Sequence, residues 1–259
     1  MNPNPTTAAV PGTVLVTGGA KRLGRAIVLD LARHGYHIAL HYNASEREAR
    51  ATAADAETQG VKVALLQADL TRESDTAKLV ERASAALGPL TALINSASLF
   101  ESDDWYSVSR ESWDRHMETN LRAPFVLAQA FARQLPRGAE GSIINIIDQR
   151  VLKPTPQFIS YSLSKAGLYW LTVTLAQALA PKVRVNAVGP GPTMINARQS
   201  HADFDRQREA TILGRGAEPQ DVCCAIRYLL TAPSVTGQMI AVDGGQHLIW
   251  QTPDVAVKE

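Results

Sequence analysis

Cysteine is almost missing from this chain. Cys223 and Cys224 are the only two in 259 residues, and they are adjacent. Neighbouring thiols cannot tie distant segments together, so a disulfide framework is excluded and a reduced, cytoplasmic protein is the simple reading. No further cysteine exists to complete a thiolate ligand set, and no metal is expected. No stretch is apolar for long enough to span a bilayer. Charge of one sign is equally lacking: 26 basic and 25 acidic side chains leave a formal net charge of +1. That balance provides no field for nucleic acid or an anionic membrane, so any charge-based recognition is local. Residues 1–12 contain no basic segment leading into an apolar one. They read as a flexible leader, not a signal peptide.

What is present is enough apolar material, 45% of residues, for one sizeable core. Short β-branched or aliphatic runs lie at 13–16, 37–41, 61–66, 92–94, 142–147, 183–187 and 238–242. Helical patterns separate them at 22–34, 46–58, 73–87, 109–134, 158–180 and 218–231. Apolar runs without polar alternation suit strands buried on both faces, and their alternation with helices predicts a doubly wound, seven-stranded parallel sheet. One α/β domain over 13–248, followed by a tail at 249–259, accounts for the chain. The segments 99–108 and 189–216 break the rhythm. They are polar or rich in Gly and Pro, and both follow strands. Ligands of open parallel sheets bind beyond the carboxyl ends of the strands. The two segments are therefore either pocket walls, the second a lid, or ordinary surface loops.

The first strand runs into Thr17-Gly18-Gly19-Ala20-Lys21-Arg22-Leu23-Gly24, and a helix follows. Glycines there permit a tight turn and bring backbone N–H groups to a diphosphate, with the helix dipole adding to the attraction. Arg22 stands where a third glycine is common. Its guanidinium faces the cofactor, an electron-rich substrate or both, or else is a solvated first-turn arginine. The second strand ends Tyr42-Asn43-Ala44-Ser45. An acid at this point would hold a ribose 2′-hydroxyl and repel a 2′-phosphate. Its absence favours NADPH, with donors from Asn43, Ser45 and Lys21 or Arg22. Glu46 suits the start of the next helix.

Tyr161 and Lys165 are four residues apart at the start of a long helical pattern and share one helix face. An ammonium near a phenol is expected to lower the tyrosine pKa and make Tyr161 a workable general acid.

With these residues in place, the chain resembles the short-chain dehydrogenase/reductases over about 12–248. The resemblance rests on 17–24, Asp69 after the third strand, Asn95-Ser96-Ala97 after the fourth, Asn120, Tyr161 with Lys165, Pro190-Gly191, and Asp243-Gly244-Gly245. It implies a Rossmann fold. It further implies that Asp69, beside Leu70, meets the adenine, and that the Asn95 segment lines the cofactor. Asn120 would hold a water joined to the lysine, and Lys165 would bond the nicotinamide ribose. Ser96 replaces a second family asparagine.

The family usually has a serine thirteen residues before the tyrosine. Here the residue is Asp148. A carboxylate facing a carbonyl oxygen is repulsive unless protonated, so a substrate with N–H groups, or one needing a proton on nitrogen, fits better. Asp148 marks a similarity to the pteridine reductases, dihydromonapterin reductases included. So do the Lys-Arg-Leu-Gly run at 21–24, the His-Tyr end of the second strand, Phe100 and Thr193. The resemblance implies hydride transfer from NADPH to a C=N bond of a dihydropterin, with dihydrofolate or oxidised pterins as further candidates. Tyr161, assisted by Asp148 and Lys165, would deliver the proton. Phe100 would stack on the ring, and Arg22 would bond its polar edge. Ala44 departs from an arginine that some of these enzymes use for the 2′-phosphate. Asp148 as a loop cap and Phe100 as plain core stay open. So do a carbonyl reductase acting on a 3-oxoacyl thioester or another ketone, and a non-catalytic NADP-binding sensor. A homotetramer is implied, with the helices at 109–134 and 158–180 at one interface. Leu168, Leu171 and Leu175 fit either that interface or intrachain core.

Overall fold

The computed structural model describes residues 12–196, 198–252 and 255. Most of the expected leader, and residues 253–254 and 256–259 of the expected tail, lie outside the described residues.

Seven parallel strands form one sheet in the order β3-β2-β1-β4-β5-β6-β7. They are β1 (Thr13–Val16), β2 (His37–Tyr42), β3 (Val63–Gln67), β4 (Leu90–Asn95), β5 (Gly141–Ile146), β6 (Val183–Pro190) and β7 (Met239–Val242). Successive side chains of a strand point to opposite faces, and β1 shows the result in four residues. Val14 and Val16 enter a core with Ile38, Leu40, Ile94 and Ile144, covered by α1 (Arg22–Arg33), α2 (Glu46–Glu57) and α8 (Pro219–Thr231). Leu15 enters the opposite core with Leu93, Ile143 and Val185. There it meets α3 (Glu73–Leu87), α5 (Ala123–Gln134) and α6 (Ile159–Leu179). Both faces are buried, which is why the strands lack polar alternation. The strand order reverses direction at β1, between β2 and β4. That reversal opens the crevice where ligands of such sheets bind.

Two expectations about elements are corrected, and one alternative left open is decided. The pattern at 109–134 is not one helix. It is α4 (Arg110–Met117), a π-helical turn at Glu118–Arg122 and α5. The turn inserts an extra residue without changing composition, so the apolar spacing does not announce it. The segment 189–216 is not wholly loop but contains α7 (His201–Glu209). This helix is polar nearly all round and buries only Phe204. Its visible signal is Ser200, whose hydroxyl caps the Asp203 N–H at 3.1 Å. Finally, Leu168 and Leu175 are buried within the chain's own cores, and Leu171 packs against them. The exposed face of α6 carries Leu163 and Trp170 instead. Among the described residues, no helix is long and apolar enough to cross a membrane.

Candidate active site

A cleft of about 850 Å3 lies beyond the carboxyl ends of the strands. Its floor at one end is the turn between β1 and α1. Gly18 there has φ +66, and a Cβ on it would lie 2.8 Å from Ala97 Cα. A Cβ on Gly24 would lie 2.0 Å from the Gly18 carbonyl oxygen. Only glycine fits either position, and the bare backbone leaves the N-terminus of α1 open to an anion. His41 braces the turn from below. Its Nδ1 accepts from the Gly18 N–H at 3.1 Å, and its Nε2 lies 3.1 Å from the Ala68 carbonyl oxygen. Burial lowers its pKa to about 4, so the ring stays neutral and keeps its acceptor toward Gly18. Thr17 ties the turn to β4, its Oγ1 accepting from the N–H groups of Ser96 and Ala97 at 3.0 Å each.

Lys21, Arg22, Leu23, Tyr42, Asn43, Ala44, Ser45, Asp69, Leu70, Ser96 and Ala97 join Gly18 and Gly24 on the cleft wall. Asn43, Ala44 and Lys21 are exposed, and the Ser45 hydroxyl makes no cap bond to α2. Glu46 is turned along the helix to Arg50, at 2.6 Å. The end of β2 thus presents neutral or basic groups and no free carboxylate. These residues fit a dinucleotide bearing an extra phosphate on its ribose. Asn95 departs from expectation. Its side chain is buried beneath the wall, with Nδ2 donating to Asn145 Oδ1 at 2.8 Å, and only Ser96 and Ala97 of that segment face the cleft.

Arg22 adopts a left-handed backbone, φ +53, which explains why glycine is favoured there. Its guanidinium reaches across the cleft and donates to the carbonyls of Ile195 at 2.6 Å and Met194 at 3.2 Å. It bridges the phosphate turn to the far wall while remaining exposed. That wall includes Pro190, Gly191 and Thr193, so the 189–216 segment does bound the pocket.

At the other end, the Tyr161 hydroxyl donates to Asp148 Oδ2 at 2.7 Å. Asp148 Oδ1 accepts from the Arg150 N–H at 2.9 Å and caps the short helical turn at Gln149–Val151. One carboxyl therefore serves the cap with one oxygen and meets the Tyr161 hydroxyl with the other. Lys165 is buried, and its Nζ donates to the Ile146 carbonyl at 2.9 Å. Burial pulls its pKa down to about 8, against the opposing pull of Asp148. The expectation of a lowered tyrosine pKa is overturned. Burial, then the charge of Asp148 and its hydrogen bond, hold the Tyr161 phenol well above its ordinary value. The lysine ammonium is spent on a backbone carbonyl, while the phenol proton faces a carboxylate.

Asn120 sits on the π-helical turn, fully buried. Its Oδ1 accepts from the Leu99 N–H at 2.8 Å, and its Nδ2 donates to the Leu99 carbonyl at 2.9 Å and to Ser164 Oγ at 3.0 Å. It pins the 99–108 segment to α6, off the cleft wall and without a direct bond to Lys165. Phe100, on that segment, is half-buried and faces the cleft, outside the core clusters. Its ring stacks on Phe158 at 4.5 Å and tilts over Tyr161 at 4.6 Å. Phe158, Arg150 and Arg198 also line this end, and sequence reasoning passed over all three. None belongs to a motif. His41 was visible only as part of a His-Tyr pair.

The fold and this cleft define a dinucleotide-dependent oxidoreductase of one class. The chain belongs to the short-chain dehydrogenase family, whose model matches residues 12–205. Among solved structures it is similar to a FolM alternative dihydrofolate reductase 1 from Brucella canis, complexed with NADP. The two share 47% identity and a TM-score of 0.89 over 95% of this chain and 98% of that one. The Brucella suis counterpart, also in complex with NADP, gives 46% and 0.88 over 94% and 98%. It is also 30% identical to 3-oxoacyl-[acyl-carrier-protein] reductase FabG of Staphylococcus epidermidis, over 91% of this chain and 99% of that one.

Proposed function

We propose that this protein is an NADPH-dependent pteridine reductase acting on a C=N bond of a dihydropterin. The observation that carries the reading is the 2.7 Å contact between Asp148 and Tyr161 inside the cleft. A carboxyl and a phenol held together form a proton store facing the substrate, and ring nitrogen is a better acceptor for it than a carbonyl oxygen. The relatives solved with NADP support the cofactor, as do the acid-free end of β2 and the glycine cradle.

Bound NADPH supplies the hydride. Tyr161 delivers the proton to ring nitrogen. Asp148, hydrogen-bonded to it, keeps that proton in place; once it has been given up, two such close groups do not both stay negative, so the pair takes a proton back from solvent. Lys165 contributes positive charge beside the phenol, its Nζ 5.7 Å from the Tyr161 ring centroid. Phe100 offers an aromatic face to the pterin, and stacking of this kind contributes about 0.5–1.5 kcal/mol beyond buried area. Arg22 anchors the wall above the ring's polar edge.

The second reading, a ketone reductase, draws on the similarity to FabG. The carboxylate where a carbonyl substrate needs a hydroxyl donor stands against it. Purified protein with NADPH and dihydrobiopterin or dihydromonapterin is expected to oxidise NADPH. Turnover of 3-oxoacyl thioesters alone would select the second reading. Cofactor binding with no turnover on either panel would select an NADP sensor. Assembly as a homotetramer belongs to the same proposal, and Trp170 and Leu163 on the open face of α6 favour a partner copy there. Light scattering tests it, with a monomeric mass as the contrary result.

A further inference from the structure

Two arginines converge on the aromatic pair beside Tyr161. Arg150 Cζ lies 4.9 Å from the Phe158 ring centroid and 5.9 Å from that of Phe100. Arg198 Cζ lies 4.9 Å from Phe100 and 5.7 Å from Phe158. The two rings stack with 23° between their planes, and all four residues line the cleft.

Neither guanidinium has a carboxylate partner among the described residues: none lies within 4.0 Å of either, whereas Arg25, Arg50, Arg110 and Arg122 each have one. Arg150 donates from its side chain to Thr155 Oγ1 at 2.9 Å, and Arg198 to the Phe100 carbonyl at 3.0 Å. A guanidinium carries five N–H donors, so most of this capacity is unspent. Asp148, the acid of this end, has both oxygens engaged by the Arg150 N–H and Tyr161. The phosphate turn at 18–24 is the other end of the cleft, so these two cations are not part of the diphosphate cradle. Their contacts are with the rings nearest the proton donor.

We propose that Arg150 and Arg198 bind an anionic tail on the substrate, so that the preferred substrate is a reduced pterin whose side chain carries carboxylate or phosphate. The inference rests on the pterin reading above. The ring reaches Tyr161 and Phe100, and the tail runs along Phe158 to two forks that match carboxylate or phosphate oxygens. A flat aryl group within the tail gains contact with Phe158, while a neutral polyol gains nothing from the charges.

The test uses the NADPH-loaded enzyme with three substrates: dihydrobiopterin (neutral tail), dihydrofolate (carboxylates) and a dihydropterin phosphate. The wild type is expected to show a KM at least about tenfold lower for an anionic substrate than for the neutral one. Raising ionic strength from about 0.05 to 0.5 M should erode that advantage without any mutation. Arg150→Gln and Arg198→Gln should each reduce the anionic-to-neutral ratio of kcat/KM by at least about fivefold. Arg150→Lys and Arg198→Lys should retain most of it, since charge survives. A purely packing role on the rings would make Lys and Gln variants equivalent, and that result overturns the proposal. So does an unaltered ratio in both Gln variants, or a wild type indifferent to tail charge and salt. Whichever anion responds identifies carboxylate or phosphate as the tail. If no pterin is reduced at all, the function reading fails and this proposal with it. If the neutral pterin is reduced without preference for anions, only this proposal fails.

Discussion

Asp148 and Tyr161 share one proton across 2.7 Å, with the phenol as donor and the carboxylate as acceptor. Neither can be understood alone. The carboxylate keeps the phenol protonated, and the phenol occupies the oxygen that would otherwise repel an electron-rich substrate. Tyr161→Phe removes the donor and Asp148→Ala removes its partner. Each is expected to lower pterin turnover by at least about tenfold, the usual scale for acid–base groups. Steady-state rates with saturating NADPH check this, and unchanged rates in both variants would remove the mechanism.

Lys165 sets a limb in the pH profile. Burial lowers its pKa to about 8, so the ammonium is present below that pH and lost above it. The Tyr161 phenol is shifted the other way and stays protonated throughout. kcat/KM for a pterin is expected to fall as pH rises through about 8. Lys165→Arg, though slower overall, should move that limb upward because a guanidinium does not titrate there. A flat profile from pH 7 to about 10 would contradict it.

His41 makes the fold sensitive to acid. Its folded pKa is about 4 against 6.5 for the free side chain. Between those values the unfolded chain binds a proton that the folded chain refuses, so stability present above pH 6.5 is lost as pH falls through about 4. The difference amounts to about 3 kcal/mol. Denaturant melts at pH 7 and pH 4.5 measure it. His41→Gln should be less stable at pH 7 yet lose less on acidification.

Gly18→Ala should abolish NADPH binding. The added methyl meets Ala97 Cα at 2.8 Å on a backbone with φ +66, and relief of that contact shifts the backbone of the turn at the N-terminus of α1. Fluorescence titration with NADPH reads the loss directly, independent of any substrate. Binding within about twofold of wild type would show that the turn tolerates the shift.

The sheet was legible because its strands are short apolar runs buried on both sides. β1 is found where the pattern places it, at Thr13–Val16. Elements whose signal is geometric were not. The π-helical turn at Glu118–Arg122 leaves composition untouched, and α7 has no apolar stripe to read. Within the cleft, motif residues such as Gly18, Lys21 and Tyr161 fall on the wall. Asn95 does not, because its amide is drawn to Asn145 across adjacent strands, a pairing that needs the register of β4 against β5. The direction of the Tyr161 shift also escaped sequence reasoning. Spacing puts a lysine one turn away, but only coordinates show its ammonium committed to Ile146. Arg150 and Arg198 meet at one aromatic pair from positions 48 residues apart, and nothing in either neighbourhood announces it.

Arg22 begins the helix after the phosphate turn and holds the carbonyls of Met194 and Ile195, so under the proposed function it belongs to the cofactor and substrate sites at once. An engineer who edits this position to retune nucleotide choice therefore also redraws the ceiling over the substrate. Under that reading, cofactor and substrate preference are not independent through this residue, and libraries that treat the two regions as separate modules are expected to find them linked.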